Sequence, residues 1–266
     1  MSAIIQLSRI AYSLCIIAMG IQQLAYGEIS GNFLPGVEAP GLAYHLFAYA
    51  WGILFTLSGV AMLISWKARQ VALISGGVFL LLLVGVYCPY YLWFSPDGHS
   101  LLGWSAAIEE SAFVGSSFIM AQSYSADGDH PGLIRGLGRL ARYGRIFFGI
   151  MLVCYGMDHF LVTKFVSEMI PGWIPAHIFW TYFAGVALIG SGVSFILNIQ
   201  VRLVASLFGV MIFLWFLVLH IPTAIDFPTR NGGLELSRVF VSFGFTGIAF
   251  LLAFSDRKDR QVVPAR

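Results

Sequence analysis

Residues 145–165 read RIFFGIMLVCYGMDHFLVTKF: an arginine, an uncharged run from Ile146 to Met157, then an aspartate and a histidine side by side. A helix needs about 20 predominantly apolar residues to cross a bilayer, and this stretch has that length. Seven other stretches match it, near 4–26, 44–65, 70–92, 102–122, 176–198, 201–223 and 236–255. The composition agrees. Of 266 residues, 58% are hydrophobic and 11% charged, with a mean hydropathy of +0.82. Soluble domains carry roughly 25% charged residues, so the chain reads as an all-α polytopic membrane protein with eight transmembrane helices and the lipid bilayer as its first partner. A net charge of +2, with the basic residues in short clusters, gives no footing for nucleic acid. The first apolar run has neither a charged leader nor an A-x-A cleavage signal, and it is expected to be a retained helix.

The opening stretch has a counterpart. RIFFGIMLVCYG, from Arg145 to Gly156, aligns with RIAYSLCIIAMG, from Arg9 to Gly20, at an offset of 136. Pro35-Gly36 falls on Pro171-Gly172 at the same offset. After a three-residue adjustment, Gly52, Ser58, Gly59, Arg69, Gly76 and Pro89 fall on Gly185, Ser191, Gly192, Arg202, Gly209 and Pro222. Self-similarity of this kind is the mark of a duplicated unit. The expected organisation is a first four-helix unit over 1–124, a polar, glycine-rich linker over 125–143, a second unit over 144–256 and a basic tail over 257–266. Each unit has an even number of spans, so the two repeats are expected to be parallel, related by an axis along the membrane normal. Gly52 and Gly59, like Gly185 and Gly192, are seven apart on one helix face, where small residues let backbones approach.

Orientation follows from the distribution of Lys and Arg. With the N-terminus inside, the inner loops and tail hold Arg9, Lys67, Arg69, Arg135, Arg139, Arg142, Arg145, Arg202, Arg257, Lys258, Arg260 and Arg266. The outer side holds Lys164, Arg230 and Arg238. Twelve against three places both termini in the cytoplasm. Cys15, Cys88 and Cys154 are far apart and form no C-x-x-C pair, which argues against a redox dithiol or a thiolate zinc site.

The second half carries a recognisable pattern. An Arg-led helix with G-x-x-H-F (Gly156 to Phe160) precedes P-G-W-I-P (Pro171 to Pro175). A helix with Gly185 and Ser191-Gly192 follows, and another ends in H-I-P (His220 to Pro222). This resembles the DoxX-like family of bacterial four-helix membrane proteins, closely over about 140–255 and more loosely over 5–122. The resemblance implies a multi-pass protein of the bacterial inner membrane. It also implies a membrane subunit that contacts quinone or supports an oxidoreductase partner, soluble or membrane-bound, as in thiosulfate:quinone oxidoreductase. No nucleotide loop, flavin fingerprint or C-x-x-C-H haem site is visible, so electrons would come from that partner. The first half departs from the pattern where Gln22-Gln23 stand in place of Asp158-His159.

Ionisable side chains at membrane depth are costly and usually face a bundle interior with a partner. Asp158, His159, His177, His220 and Asp226 should all lie near the outer ends of their helices. Tyr155 and Phe216 each precede a histidine by four residues, stacking a ring one turn from an imidazole. These seven are the candidate ligand-binding set. A quinone headgroup site and a polar seam that only joins helices are both open, and a metal site is not expected because the histidines lack ligand-type spacing. Glu109 and Glu110, inside the fourth span, form a candidate proton relay, with His45 or Tyr87 as the nearest expected partner. They also keep a small-solute or lipid carrier in view, although the prolines at helix ends do not resemble the interrupted spans of transporters. A ligand-free scaffold or assembly factor is the third alternative.

Overall fold

With so few polar residues, backbone N–H and C=O groups find partners only in the chain itself, and continuous helices satisfy them all. The computed structural model describes residues 3–27, 41–125, 132–228 and 233–255, and among these it is helical without strands. In chain order the helices are α1 (Ala3–Tyr26), α2 (Leu42–Leu63), α3 (Ala68–Trp93), α4 (Ser105–Gln122), α5 (Gly132–Ala141), α6 (Gly144–Leu161), α7 (Thr163–Glu168), α8 (His177–Leu197), α9 (Val201–Asp226) and α10 (Leu234–Phe254). Seven of them, α1, α2, α3, α6, α8, α9 and α10, are long and apolar enough to cross a membrane.

The remaining long helix, α4, corresponds to the expected span over 102–122. Its 18 residues include Glu109, Glu110 and four serines, and nearly every residue from Ala107 to Ala121 is buried. A polar helix avoids the hydrocarbon by taking the centre of the bundle. Its neighbours supply the apolar exterior: Leu57, Leu81, Val186 and Leu207 all point outward.

Close glycine contacts set the helix pairs. A Cβ placed on Gly59 would lie 2.9 Å from the Ser13 carbonyl oxygen, so α2 rides directly on α1. A Cβ on Gly192 would lie 2.5 Å from the Gly149 carbonyl oxygen, so α8 rides on α6 in the same way. Packing of α3 on α4 and of α9 on α10 completes each half. The other extensive contacts cross between halves, α1 on α10 and α4 on α6. The first helix of each half therefore packs along the fourth helix of the other. A chain of rings runs through this junction: Phe55 to Phe79 (5.4 Å), Phe79 to Phe113 (5.4 Å), Phe113 to Phe245 (5.8 Å) and Phe245 to Phe148 (5.3 Å).

Two helices change winding near one end. Leu83–Tyr87 in α3 and Phe216–His220 in α9 are π-helical, and each is followed two residues later by a proline, Pro89 and Pro222. The segments start 133 residues apart (216 − 83), and so do the prolines (222 − 89). Proline has no N–H to return to the carbonyl four residues back, and its ring crowds that carbonyl. One turn widened to i→i+5 absorbs the conflict without breaking the helix.

The stretch read as a linker is more ordered than its glycines suggest. Within it α5 lies against α3 and α4, with Leu137 buried and its Cδ2 2.8 Å from the position of a Cβ on Gly77. Burial of Leu137 and Ala141 outweighs the three glycines, because packing rather than propensity stabilises a helix of this length. Residues 126–131 of that stretch, and the basic tail, lie outside the described residues.

Candidate functional site

The end of the bundle at which α4 and α10 begin is polar inside. Gln23 marks one wall. On α1, Ser13, Ile17, Gly20 and Leu24 meet α2, while Cys15 and Gln22 meet α10. Tyr12 lies between these two faces, and its hydroxyl is 2.7 Å from Ser117 Oγ on α4. Gln23, three turns beyond Tyr12, shares its face. Glu110, two turns before Ser117, shares the Ser117 face of α4. Both are displaced toward the same end, by roughly 16 and 10 Å respectively, because the Arg9 guanidinium donates to Ser123 and fixes α1 and α4 antiparallel. Gln23 is 0% and Glu110 2% exposed. Both amide atoms of Gln23 and Oε1 of Glu110 lack a hydrogen-bond partner among the described residues.

Around this acid pair stand three phenols and one cation from four other helices. Glu110 is within charge-interaction range of Tyr12 on α1 and of Tyr87 in the π segment of α3. Glu109 is within range of Tyr87, of Tyr155 on α6 and of Arg238 on α10. Arg238 is also within charge-interaction range of His220 in the π segment of α9, and its Nη1 donates to Glu235 Oε1 at 2.8 Å. Carboxyl, phenol and imidazole are groups that can hand on a proton. His45, the other expected partner of the acids, is held by its Nδ1 at 2.6 Å from the Gly27 carbonyl oxygen, joining the start of α2 to the end of α1.

The expected Asp/His set is only partly gathered. Tyr155 is within charge-interaction range of Asp158, Glu109 and Arg238. Asp158 Oδ1 is buried without a hydrogen-bond partner. His159 turns its Nδ1 to the Tyr155 carbonyl oxygen at 2.7 Å, and its Cβ packs at Gly185 of α8. Gly185 is eight residues into α8, roughly 12 Å along the axis from His177. His159 and His177 are therefore at different levels. His177 starts α8, where its carbonyl accepts from Thr181 Oγ1 at 2.9 Å, and Asp226 is exposed at the end of α9. No group of three His, Cys, Asp or Glu able to hold a metal ion is present among the described residues.

Phe216 belongs to a different feature. Between α1 and the α9/α10 pair lies an apolar cavity of about 620 Å3, lined by Leu14, Ile17, Ala18, Ile21, Gln22, Ala25, Tyr26, Phe216, Leu236, Val239, Phe240 and Phe243. The Phe216 and Phe243 rings are 5.2 Å apart, and Phe213 stacks on Phe216 at 5.9 Å. Its polar end is Gln22, whose Oε1 accepts from Ser237 Oγ at 2.8 Å and whose Nε2 donates to the Gly233 carbonyl at 2.8 Å. The rings touch one another, so the wall offers an aromatic face rather than a slot between rings.

Sequence reading missed Arg238, Glu235 and Gln23. Arg238 was counted only as one outer charge, although the i, i+3 spacing of Glu235 and Arg238 signals a pair at a helix start. Gln23 carries no charge, and its place opposite His159 in the repeat is the signal that could have found it.

A family model described as a domain of unknown function, DUF8561, matches residues 148–243. That stretch contains Tyr155, Asp158, His220, Glu235, Arg238 and the Phe216–Phe243 wall, but neither Glu109 nor Glu110. No curated protein and no solved structure matches the chain.

Proposed function

We propose that the chain is a DoxX-like protein of the bacterial inner membrane that contacts a quinone and serves an oxidoreductase partner as its membrane subunit. The observation that carries the proposal is the cavity between α1, α9 and α10, walled by Phe216, Phe240 and Phe243 and closed at one end by Gln22 and Tyr26. Aromatic faces bind a planar ring by offset stacking, and the cavity's apolar flank suits an isoprenoid tail lying in lipid. When bound, the quinone would supply the two-electron chemistry. Phe216 and Phe243 would flank its ring, and the Tyr26 hydroxyl would donate to its carbonyl. The test is extraction of the protein from native membranes in mild detergent, followed by quantitation of bound quinone. Near-stoichiometric quinone that falls several-fold in Phe243→Ala supports the proposal. Folded protein without quinone that also fails to take up added quinone overturns it.

The same proposal takes α4 as an eighth span and the two halves as parallel repeats with cytoplasmic termini. Its support is the shared 133-residue offset of the π segments and prolines, together with the matched Gly59 and Gly192 contacts. A reporter fused to the C-terminus that is active only outside the cytoplasm would refute that topology.

A second reading, a proton-coupled carrier, is favoured by Glu110 and Gln23, two buried side chains with polar atoms unpartnered at the junction of the halves. Solute uptake into vesicles that requires a proton gradient and disappears in Glu110→Gln would select it over the quinone reading.

A further inference from the structure

We infer that α5 and the start of α3 form a binding site for the phosphate headgroup of an anionic lipid. Two faces of α5 carry this inference, which rests on the membrane reading above. One face is protein-bound: Leu137 is buried on Gly77 of α3, and Ala141 is buried beside α4, its carbonyl accepting from the Gln122 amide. The same face is uncovered at its other turns, with Leu133 71% and Leu140 41% exposed. The opposite face is basic: Arg135 and Arg139, at i and i+4, share it, Arg142 lies in the turn just after the helix, and all three are exposed.

Geometry adds a fourth cation. Arg69, near the start of α3, reaches along α5 until its Nη2 is 3.5 Å from the position of a Cβ on Gly138. Gly138 keeps that side of the helix bare, so the guanidinium lies close to the backbone on the arginine side. Among the described residues, Asp97, Glu109, Glu110, Asp158, Glu168, Asp226 and Glu235 lie in other segments, none of them in α5 or at the start of α3. A helix with apolar residues on one side and arginines on the other lies at the headgroup level. Guanidinium groups pair with phosphate in bidentate fashion. The occupant with matching chemistry is an acidic phospholipid whose phosphate meets Arg139 and Arg69 while its acyl chains cover Leu133 and Leu140.

The site is mechanically joined to the acid pair. Gln122, which holds Ala141, ends the helix on which Glu109 and Glu110 sit. A headgroup seated on α5 therefore braces α4.

The experiment uses the full chain in detergent, titrated with phosphatidylglycerol or with phosphatidylcholine of the same acyl composition, reading thermal melting and bound lipid by native mass spectrometry. Phosphatidylglycerol should raise the melting temperature and remain bound, while phosphatidylcholine should not. Each arginine replaced by glutamine should weaken the preference roughly fivefold, the equivalent of about 1 kcal/mol per basic residue near an anionic surface. Should Arg135→Gln/Arg139→Gln/Arg142→Gln fail to fold, Arg139→Gln alone reads the effect. Equal response to both lipids, an unchanged preference in Arg139→Gln, or equal protection by inorganic phosphate overturns the inference. Each of these results is independent of whether quinone is bound.

Discussion

The Tyr12 hydroxyl on α1 lies 2.7 Å from Ser117 Oγ on α4, and both residues are fully buried. This bond joins the first and fourth helices of the first half, which the Arg9–Ser123 contact also bridges.

Tyr12→Phe keeps the ring and removes the hydroxyl, leaving Ser117 Oγ buried with one partner fewer. A loss of about 1–2 kcal/mol follows from the cost of stranding a buried polar group. Melting in detergent should register it, and Tyr12→Phe/Ser117→Ala should recover part of it.

Gly59→Ala and Gly192→Ala should each destabilise by about 1–3 kcal/mol, since a methyl group driven into a facing backbone forces the helices apart. Gly190→Ala is the control. A Cβ there meets nothing within 4 Å, so this variant should be neutral or slightly stabilising, as alanine outranks glycine in a helix by about 1 kcal/mol. Equal effects at all three positions would refute the close-contact account.

The Arg145 guanidinium donates to the carbonyls of Phe195 and Ile196 at the end of α8, the second at 2.9 Å. Arg145→Gln should cost about 1.5–3 kcal/mol, the range for hydrogen bonds to a charged group. Proteolysis or hydrogen exchange should show that end of α8 opening first.

Glu110→Gln replaces an acid whose Oε1 has no partner by an amide of the same shape, so folding should be retained with a melting temperature equal to or above that of the parent. Glu110→Ala should destabilise the fold by about 1–3 kcal/mol through lost packing alone. If Glu110→Gln proves as damaging as the alanine variant, the carboxyl is structurally required.

Much of the architecture follows from the order of residues. Lengths of apolar sequence set the helices, because in hydrocarbon no other backbone conformation satisfies its own hydrogen bonds. Glycines seven apart announced the helix faces on which Gly59 and Gly192 make their contacts, since a 3.6-residue period places such residues on one side. Tertiary structure decided which helices meet. The first helix of each half packs along the fourth of the other, and that arrangement brings Tyr12, Tyr87, Tyr155 and Arg238 around Glu109 and Glu110. A one-dimensional pattern specifies a face but not the neighbour it will touch, so the positions of Gln23 and Arg238 could not be read from their own surroundings. The π turns were hidden for the same kind of reason. Pro89 and Pro222 signal a lost hydrogen bond, yet only the packed bundle determines whether a helix kinks, ends or rewinds to accommodate it.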